Sequence, residues 1–211
     1  MSKLLYDKIA QGEGLNLDFK YCVNDSKKIA RSMVAFANTS GGALLLGVKD
    51  NGNIKGINFT EEIYMIEQAA ELYCSPKLNF LFEKHFAEGK VVLEIIIPFN
   101  GIVPYKAIDE NGKWKVYIRK NDENLLANRI LLEVWKNEKN NINTNITFNR
   151  DIEMLFNYLD YHNSISFNTF RQITNKSKRE TEDILIKLIG MKLLEMEIFE
   201  DTCSFSKTNI V

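Results

Sequence analysis

The stretch Ala35–Asp50, AFANTSGGALLLGVKD, decides how the N-terminal half of the chain folds. Apolar residues recur at helical spacing on its upstream side, and Asp25 or Ser26 is placed to cap that helix. Gly41-Gly42 then permits the positive φ with which helices end, and the apolar run Ala43–Val48 has the length of a buried strand. We expect a helix, a tight glycine exit and a buried strand.

Shorter patterns flank this stretch on both sides and fix the fold class. They predict strands at 15–21, 43–48, 54–57, 79–87, 90–98 and 113–120, and helices at 26–40, 60–74 and 123–137. Asn51-Gly52 and Glu88-Gly89 are the predicted hairpin turns. This order predicts an α+β fold, a mixed sheet with packed helices, rather than a doubly wound nucleotide-binding fold.

An Asn-rich segment divides the chain into two predicted domains. Five asparagines fall within residues 137–147, and asparagine favours turns over regular structure. We therefore expect a first domain over 1–137, a linker over 138–147 and a second domain over 148–211. In the second domain, helices near 150–162, 167–174 and 177–191 precede a hairpin of two short strands, which predicts a winged helix-turn-helix.

Composition excludes several classes of protein. The 211 residues carry 27 Lys+Arg against 28 Asp+Glu, a formal net charge of −1, so binding to a polyanion has to depend on a local patch. Three separated cysteines fit a reducing cytoplasm, and two isolated histidines give no zinc signature. No secretory h-region or membrane-length apolar run is present. We expect a cytoplasmic protein with no membrane partner.

Three motifs carry a resemblance to a known family. They are Glu13-x₄-Asp18-Phe19-Lys20, the AFANTSGG run with the following LLLGVKDNG, and Tyr117-Ile118-Arg119 near the end of the first domain. Over about residues 10–125 the chain resembles the Schlafen AlbA-type domain, a family described as DNA-binding. Bacterial members are often joined to a winged helix in regulators. The resemblance therefore implies a bacterial protein that binds DNA or RNA and regulates transcription.

The same resemblance implies an alternative, enzymatic function. Some animal Schlafens are endoribonucleases that use three carboxylates, and these correspond to Glu13, Asp18 and Asp50. Carboxylates suit Mg²⁺ or Mn²⁺, and such ions can activate water for phosphodiester cleavage. Asp18 replaces the family's usual Glu and is one methylene shorter. In the other interpretation these carboxylates are structural turn and sheet-edge residues, and no cofactor is expected.

Ten cationic residues are candidate phosphate contacts. In the first domain they are Lys20, Lys27, Lys28, Arg31, Lys115, Arg119 and Lys120, and at the start of the third helix of the second domain they are Lys176, Lys178 and Arg179. If the strands of Lys20 and Arg119 are neighbours, the first set forms one basic face. A solvated helix face is the other interpretation of Lys27 and Lys28. The segment 148–211 has 8 cationic and 10 anionic side chains. DNA-binding domains are normally basic, so this composition is an argument against DNA binding by the second domain.

Two further possibilities concern partners. An apolar helix with Leu125, Leu126, Ile130, Leu131 and Val134 suggests a homodimer seam. The near-neutral charge also leaves open a protein-interaction module without nucleic-acid binding. The segment Asn38–Gly42 also has two interpretations. Its exposed amides could approach a phosphate, or its glycines could simply allow the helix to end and the strand to begin within a few residues.

Overall fold

The computed structural model describes residues 2–99, 101, 104–142, 145–200 and 202–208. The chain forms two compact units, Met1–Leu126 and Ala127–Val211. The division therefore lies upstream of the linker predicted at 138–147. Asn143 and Thr144 of that linker lie outside the described residues.

Unit 1 is built around a four-stranded sheet with the order β1-β2-β5-β4, in which β1 runs parallel to β2 and the other pairs are antiparallel. Its elements are α1 Ser2–Gln11, β1 Leu17–Lys20, α2 Ser26–Thr39, β2 Gly42–Leu46, α3 Phe59–Leu72, β3 Cys74–Ser75, β4 Leu81–Ala87, β5 Lys90–Ile97, β6 Lys106–Ile108, β7 Trp114–Lys115, β8 Tyr117–Lys120 and β9 Glu123–Leu126. The predicted α+β class is confirmed.

Strand β2 is covered on both faces, which explains its unbroken apolar run. Leu44 and Leu46 pack in one core cluster with residues of α2 and α3. Leu45 points the other way, into a second cluster with Leu5 of α1 and Phe19 of β1. A strand buried on both sides needs apolar residues at every position rather than at alternate ones.

The glycines that follow α2 are required by close packing. A Cβ atom on Gly42 would lie 2.4 Å from the Phe36 ring, and one on Gly41 would lie 2.9 Å from the carbonyl oxygen of Ile97. Gly41 also has a φ of +70°. The Gly41 amide donates to Phe36 O and the Ala43 amide to Asn16 O. These amides are used inside the fold, so the segment is a packing device and not a phosphate cradle.

The region 113–137 differs from its predicted form. The single strand expected at 113–120 is divided at Val116: β7 pairs with β6, whereas β8 pairs with β9. Glu123–Leu126 is strand β9 and not the start of a helix. The Asn51-Gly52 turn is present, with Gly52 at φ +81°, and the segment predicted as a strand at 54–57 pairs through the isolated bridge between Val48 and Ile54.

The described residues of unit 2 form four helices and a three-stranded sheet of order β10-β12-β11. Its elements are α4 Arg129–Lys139, α5 Arg150–Tyr161, β10 Ile165–Ser166, α6 Phe167–Thr174, α7 Lys178–Gly190, β11 Leu194–Ile198 and β12 Cys203–Lys207. Strand β10 is an addition to the predicted elements, and it pairs with β12 through Ile165 and Phe205.

Helix α4 belongs to unit 2 and is not the last helix of the first domain. Its Ile130 and Val134 join the core of unit 2 with Leu185 of α7. The Arg129 guanidinium bonds to the Glu182 carboxylate of α7. The apolar residues that suggested a homodimer seam are thus partly used within one chain, and Leu125 is buried in β9. The structure gives no support to dimerisation through this helix.

Among the helices in the described part of the chain, none is long and apolar enough to cross a membrane.

Candidate functional site

Asp18 is the centre of an ion-pair cluster on the edge strand β1. Its Oδ1 lies 3.1 Å from Arg119 Nη2, and its Oδ2 lies 2.9 Å from Lys20 Nζ. Leu17 and Phe19 on either side of it point into the cluster beneath α1, so Asp18 points toward the opposite face. Its side chain is 6% exposed. Lys20 and Arg119 thus meet at Asp18, which neutralises both charges, although β1 and β8 belong to different sheets.

Arg119 is an interior residue and not a surface phosphate contact. Its Nε donates to Gly14 O at 3.2 Å and its Nη1 to Asn124 Oδ1 at 3.0 Å. The guanidinium carbon lies 4.9 Å from the centre of the Phe36 ring. With 1% of the side chain exposed, its donors are occupied by the fold. The strand register turns Arg119 inward, so the structure gives no support to its predicted contact with a phosphate.

Glu13 lies beside Asp18 in the same cluster. Its Oε1 accepts a hydrogen bond of 2.7 Å from the amide of Phe19 and lies 3.9 Å from Lys20 Nζ. Burial raises the pKa of Glu13 above its ordinary value, and a hydrogen bond with the Asp18 carboxyl acts in the same direction, whereas the Phe19 amide opposes them. Glu13 and Asp18 therefore form a carboxyl pair next to one lysine.

Asp50 does not complete a three-carboxylate site with this pair. Asp18 lies opposite Leu44 in the register of β1 and β2, whereas Asp50 is an exposed residue of the turn beyond Val48. Within the described residues, one group of three metal-ligating side chains comes within 4.8 Å, and it includes none of Glu13, Asp18 and Asp50. The geometry predicted for a divalent ion is thus not formed.

Two polar residues of the AFANT motif hold distant segments together. Asn38 Nδ2 donates to Tyr105 O at 2.9 Å and to Tyr117 O at 2.8 Å, while its Oδ1 accepts from the Tyr105 amide at 2.7 Å. Thr39 Oγ1 accepts from the Arg119 amide at 2.8 Å. The motif residues therefore stabilise the fold, and periodicity alone gives no sign of these contacts.

Three cations of α2 lie on a different surface, with Lys28 exposed and Lys27 and Arg31 half-buried. Lys27 and Lys28 project from the first turn of α2, and Lys27 Nζ lies 5.7 Å from the centre of the Tyr73 ring. Arg31, one turn on, donates through Nε to Ile108 O at 3.4 Å and pairs with Glu110. Ile108 lies opposite Trp114 of β7. We call Lys27, Lys28, Arg31, Tyr73 and Trp114 the α2–β7 surface.

Trp114 was not recognised as a candidate from the sequence. Its side chain belongs to the exposed large apolar residues at 44% exposure, and β7 is a two-residue strand at the edge of its sheet. Lys115 beside it is also exposed. Lys120 is half-buried at the end of β8. An exposed tryptophan between lysines is the signal that sequence reasoning could have used.

In unit 2 the three predicted cations differ in their surroundings. Lys176 is paired, with Nζ 3.3 Å from Asp151 and 4.0 Å from Glu180. Lys178 and Arg179 are exposed at the start of α7, behind a capping box formed by Ser177 and Glu180. Neither forms an ion pair with any residue that the structure describes. Two of the three cations therefore remain accessible to a ligand.

Comparison with known proteins decides the family. The model of the family described as Schlafen, AlbA_2 matches residues 13–128, which is more than half of the chain. The chain belongs to this family. The AlbA_2 match contains Glu13, Asp18, the AFANT motif and Arg119, and it ends just beyond unit 1. No curated protein matches the chain.

Two solved structures resemble the AlbA_2 protein. The DIP2311 protein of Corynebacterium diphtheriae is 19% identical with a TM-score of 0.42, over 59% of this chain and 27% of that one. The N-terminal domain of a RecG-related protein of Nitrosomonas europaea is 21% identical with a TM-score of 0.38, over 56% of this chain and 86% of that one. The AlbA_2 protein thus spans about a quarter of the Corynebacterium structure.

Proposed function

We propose that the protein binds nucleic acid through the α2–β7 surface. Two observations on this surface carry the proposal: Trp114 is exposed, and within the described residues Lys27 and Lys28 form no ion pair. Ammonium groups contact phosphates, and an exposed aromatic ring offers a platform on which a base can stack. Membership of the AlbA_2 family supports this function.

This surface replaces the one expected around Lys20 and Arg119. Glu13 and Asp18 supply two carboxyls for those two cations, so the cluster has little charge left to attract a polyanion. At the α2–β7 surface the described residues form one ion pair, between Arg31 and Glu110, and the Asp25 carboxylate is used by the backbone amides at the start of α2. Phosphate binding is therefore better supported at Lys27 and Lys28.

Unit 2 is proposed as a second contact. Leaving α4 aside, its elements follow the order helix, strand, helix, helix, strand, strand, which is compatible with a winged helix. Lys178 and Arg179 open α7, the helix that occupies the recognition position in that arrangement. Two linked contacts on duplex DNA would suit a transcriptional regulator, and this is the role we propose.

A metal-dependent nuclease receives no support from the predicted carboxylates, because Asp50 stands apart and both oxygens of Asp18 face cations. The same binding experiment covers this alternative when Mg²⁺ or Mn²⁺ is compared with EDTA. Cleavage that disappears in Glu13→Gln would favour the nuclease.

The test is a titration of labelled duplex DNA, single-stranded DNA and structured RNA with the whole protein at several salt concentrations. In Lys27→Ala/Lys28→Ala, two lost phosphate contacts should lower the slope of log affinity against log salt by about 1.8 on duplex DNA. Trp114→Ala should weaken single-strand binding about tenfold, the cost of one lost stacking contact. Unchanged binding in both variants would contradict the proposed surface.

The matched control is Lys3→Ala/Lys49→Ala, which removes two exposed lysines of the same unit from α1 and from the turn after β2. It should leave the salt slope almost unchanged. An equal fall in both double variants would mean that only overall charge matters. No binding to any of the three ligands would favour the protein-interaction alternative.

A further inference from the structure

A second cluster of ionisable side chains lies between α1 and the β4–β5 hairpin. Glu83 and His85 are two residues apart on β4, and Glu94 of β5 lies directly opposite Glu83. Residues that alternate along a strand, and residues directly opposite across a pair, share one face of the sheet. One oxygen of each carboxylate and one ring nitrogen of His85 lie within 4.8 Å of one another.

The charges in this cluster are not balanced. Lys8 of α1 binds Glu94 Oε1, so one ammonium faces two carboxylates. Within the described residues, Glu83 has no hydrogen bond or ion pair. Because Glu94 is 1% exposed, little water is available to stabilise a net negative charge in this cluster. With a neutral imidazole at His85, the cluster therefore lacks one positive charge, which a bound cation can supply.

The imidazole of His85 is also incompletely bonded. Its Nε2 lies 2.9 Å from Glu94 Oε2, whereas Nδ1 has no hydrogen-bond partner among the described atoms. His85 is 3% exposed. Buried polar atoms are almost always bonded, yet among the described atoms His85 has one hydrogen bond, through the nitrogen that faces Glu94. An ion bound to that Nε2 and to Glu94 would take the place of this bond.

We propose that Glu83, His85 and Glu94 hold a divalent transition-metal ion of the Zn²⁺ type. One imidazole nitrogen and two carboxylate oxygens are ligands that such ions accept, with water in the remaining position, whereas Mg²⁺ and Ca²⁺ prefer oxygen ligands alone. Glu83 is half-buried and gives the ion a route from solvent. Lys8 is 30% exposed, so its ammonium can turn to solvent when the ion binds Glu94.

The test is calorimetric titration of the whole protein, first stripped with a chelator, with Zn²⁺ and with Mg²⁺. One Zn²⁺ per chain and no Mg²⁺ is the expected result. Glu83→Gln removes a ligand from a half-buried position and should lower the Zn²⁺ affinity at least tenfold. Lys8→Met removes the competing ammonium and should raise the affinity. Co²⁺ in place of Zn²⁺ should give a visible absorption band that is absent in Glu83→Gln.

The matched control is His162→Gln, which changes the other histidine of the chain, an exposed residue in unit 2. It should bind Zn²⁺ like the unchanged protein. Affinity that persists in Glu83→Gln would place the ion elsewhere, for example on Cys22 or Cys203, and would overturn the site. Absence of Zn²⁺ binding in a protein that melts normally would overturn it as well.

Discussion

Arg119 and Asp18 are 101 residues apart in the sequence, yet Arg119 Nη2 lies 3.1 Å from Asp18 Oδ1 in the interior of unit 1. The pair joins β8 to the edge strand β1. The sequence suggested Asp18 as a metal ligand and Arg119 as a phosphate contact. In the structure the two side chains bind each other and hold β8 against β1.

Removal of this connection should be costly. Arg119→Met would leave the buried carboxylate of Asp18 with only Lys20, and loss of one partner of a buried pair costs about 3 kcal/mol. We expect the free energy of unfolding of unit 1 to fall by that amount in urea denaturation. Lys20→Met is the control, because Lys20 is 37% exposed and its loss should cost about 1 kcal/mol or less. Equal losses in both variants would contradict the buried-pair argument.

The raised pKa of Glu13 predicts a pH dependence of stability. The folded protein binds this proton more tightly than the unfolded chain, so the free energy of unfolding falls as the pH rises from the ordinary value of 4.5 through the raised pKa. Glu13→Gln keeps an oxygen for the Phe19 amide and cannot ionise. It should therefore gain stability relative to the unchanged protein between acid and neutral pH, as measured by denaturant titration at each pH. If the difference in free energy of unfolding between Glu13→Gln and the unchanged protein instead grew as the pH fell, the burial of Glu13 would be contradicted.

Asn38 should be among the most sensitive polar positions of unit 1. Asn38→Asp keeps an acceptor for the Tyr105 amide but turns a carboxylate toward the carbonyl oxygens of Tyr105 and Tyr117. We expect a loss of about 3 kcal/mol in the free energy of unfolding, because buried polar groups lose their partners. Asn124→Asp provides the comparison, since Asn124 accepts from Arg119 and a carboxylate there is tolerated better. Similar losses in the two variants would argue against this role for Asn38.

The glycine after α2 gives a clean steric test. In Gly42→Ala the new methyl group meets the Phe36 ring and the Asn16 carbonyl, and overpacking of this kind costs about 2 kcal/mol. Gly14→Ala is the matched control, because no atom lies within 4 Å of its Cβ position. Thermal melting should show a lower Tm for Gly42→Ala alone.

The assignment of α4 to unit 2 can be tested through its core residues. Ile130 is 3% exposed in the core of unit 2, and Ile130→Ala should cost about 3 kcal/mol in the unfolding of that unit. Leu126, which is 53% exposed, is the control and should change little on replacement by Ala. If the loss appeared instead in the unfolding of unit 1, α4 would belong there, as the sequence suggested.

Local signals predicted the elements that local chemistry decides. The Glu88-Gly89 turn is correct, with both residues at positive φ, and its position fixes the register of β4 and β5. The pairing of Glu83 with Glu94, and the position of His85 on the same face, follow from that register. The Glu83–His85–Glu94 cluster could therefore have been predicted from the sequence, although it was not.

Tertiary contacts decided the rest. Glu123–Leu126 has good helix formers, yet it forms β9 because β8 offers it a partner strand. Alternation along β1 places Asp18 on the face opposite Leu17 and Phe19, which would be exposed in a strand with one buried face. That face is buried too, because β1 is covered on both sides. Arg119, the partner of Asp18, comes from a distant strand, and no spacing within the sequence encodes that contact.

The boundary between Leu126 and Ala127 has a consequence for how such proteins can be recombined. A gene fusion that cut the chain at residue 137 would transfer α4 with the wrong neighbour and expose Ile130 and Val134 to solvent. A cut after Leu126 would keep each hydrophobic core whole. The position of α4 therefore decides where the chain can be divided without opening either hydrophobic core.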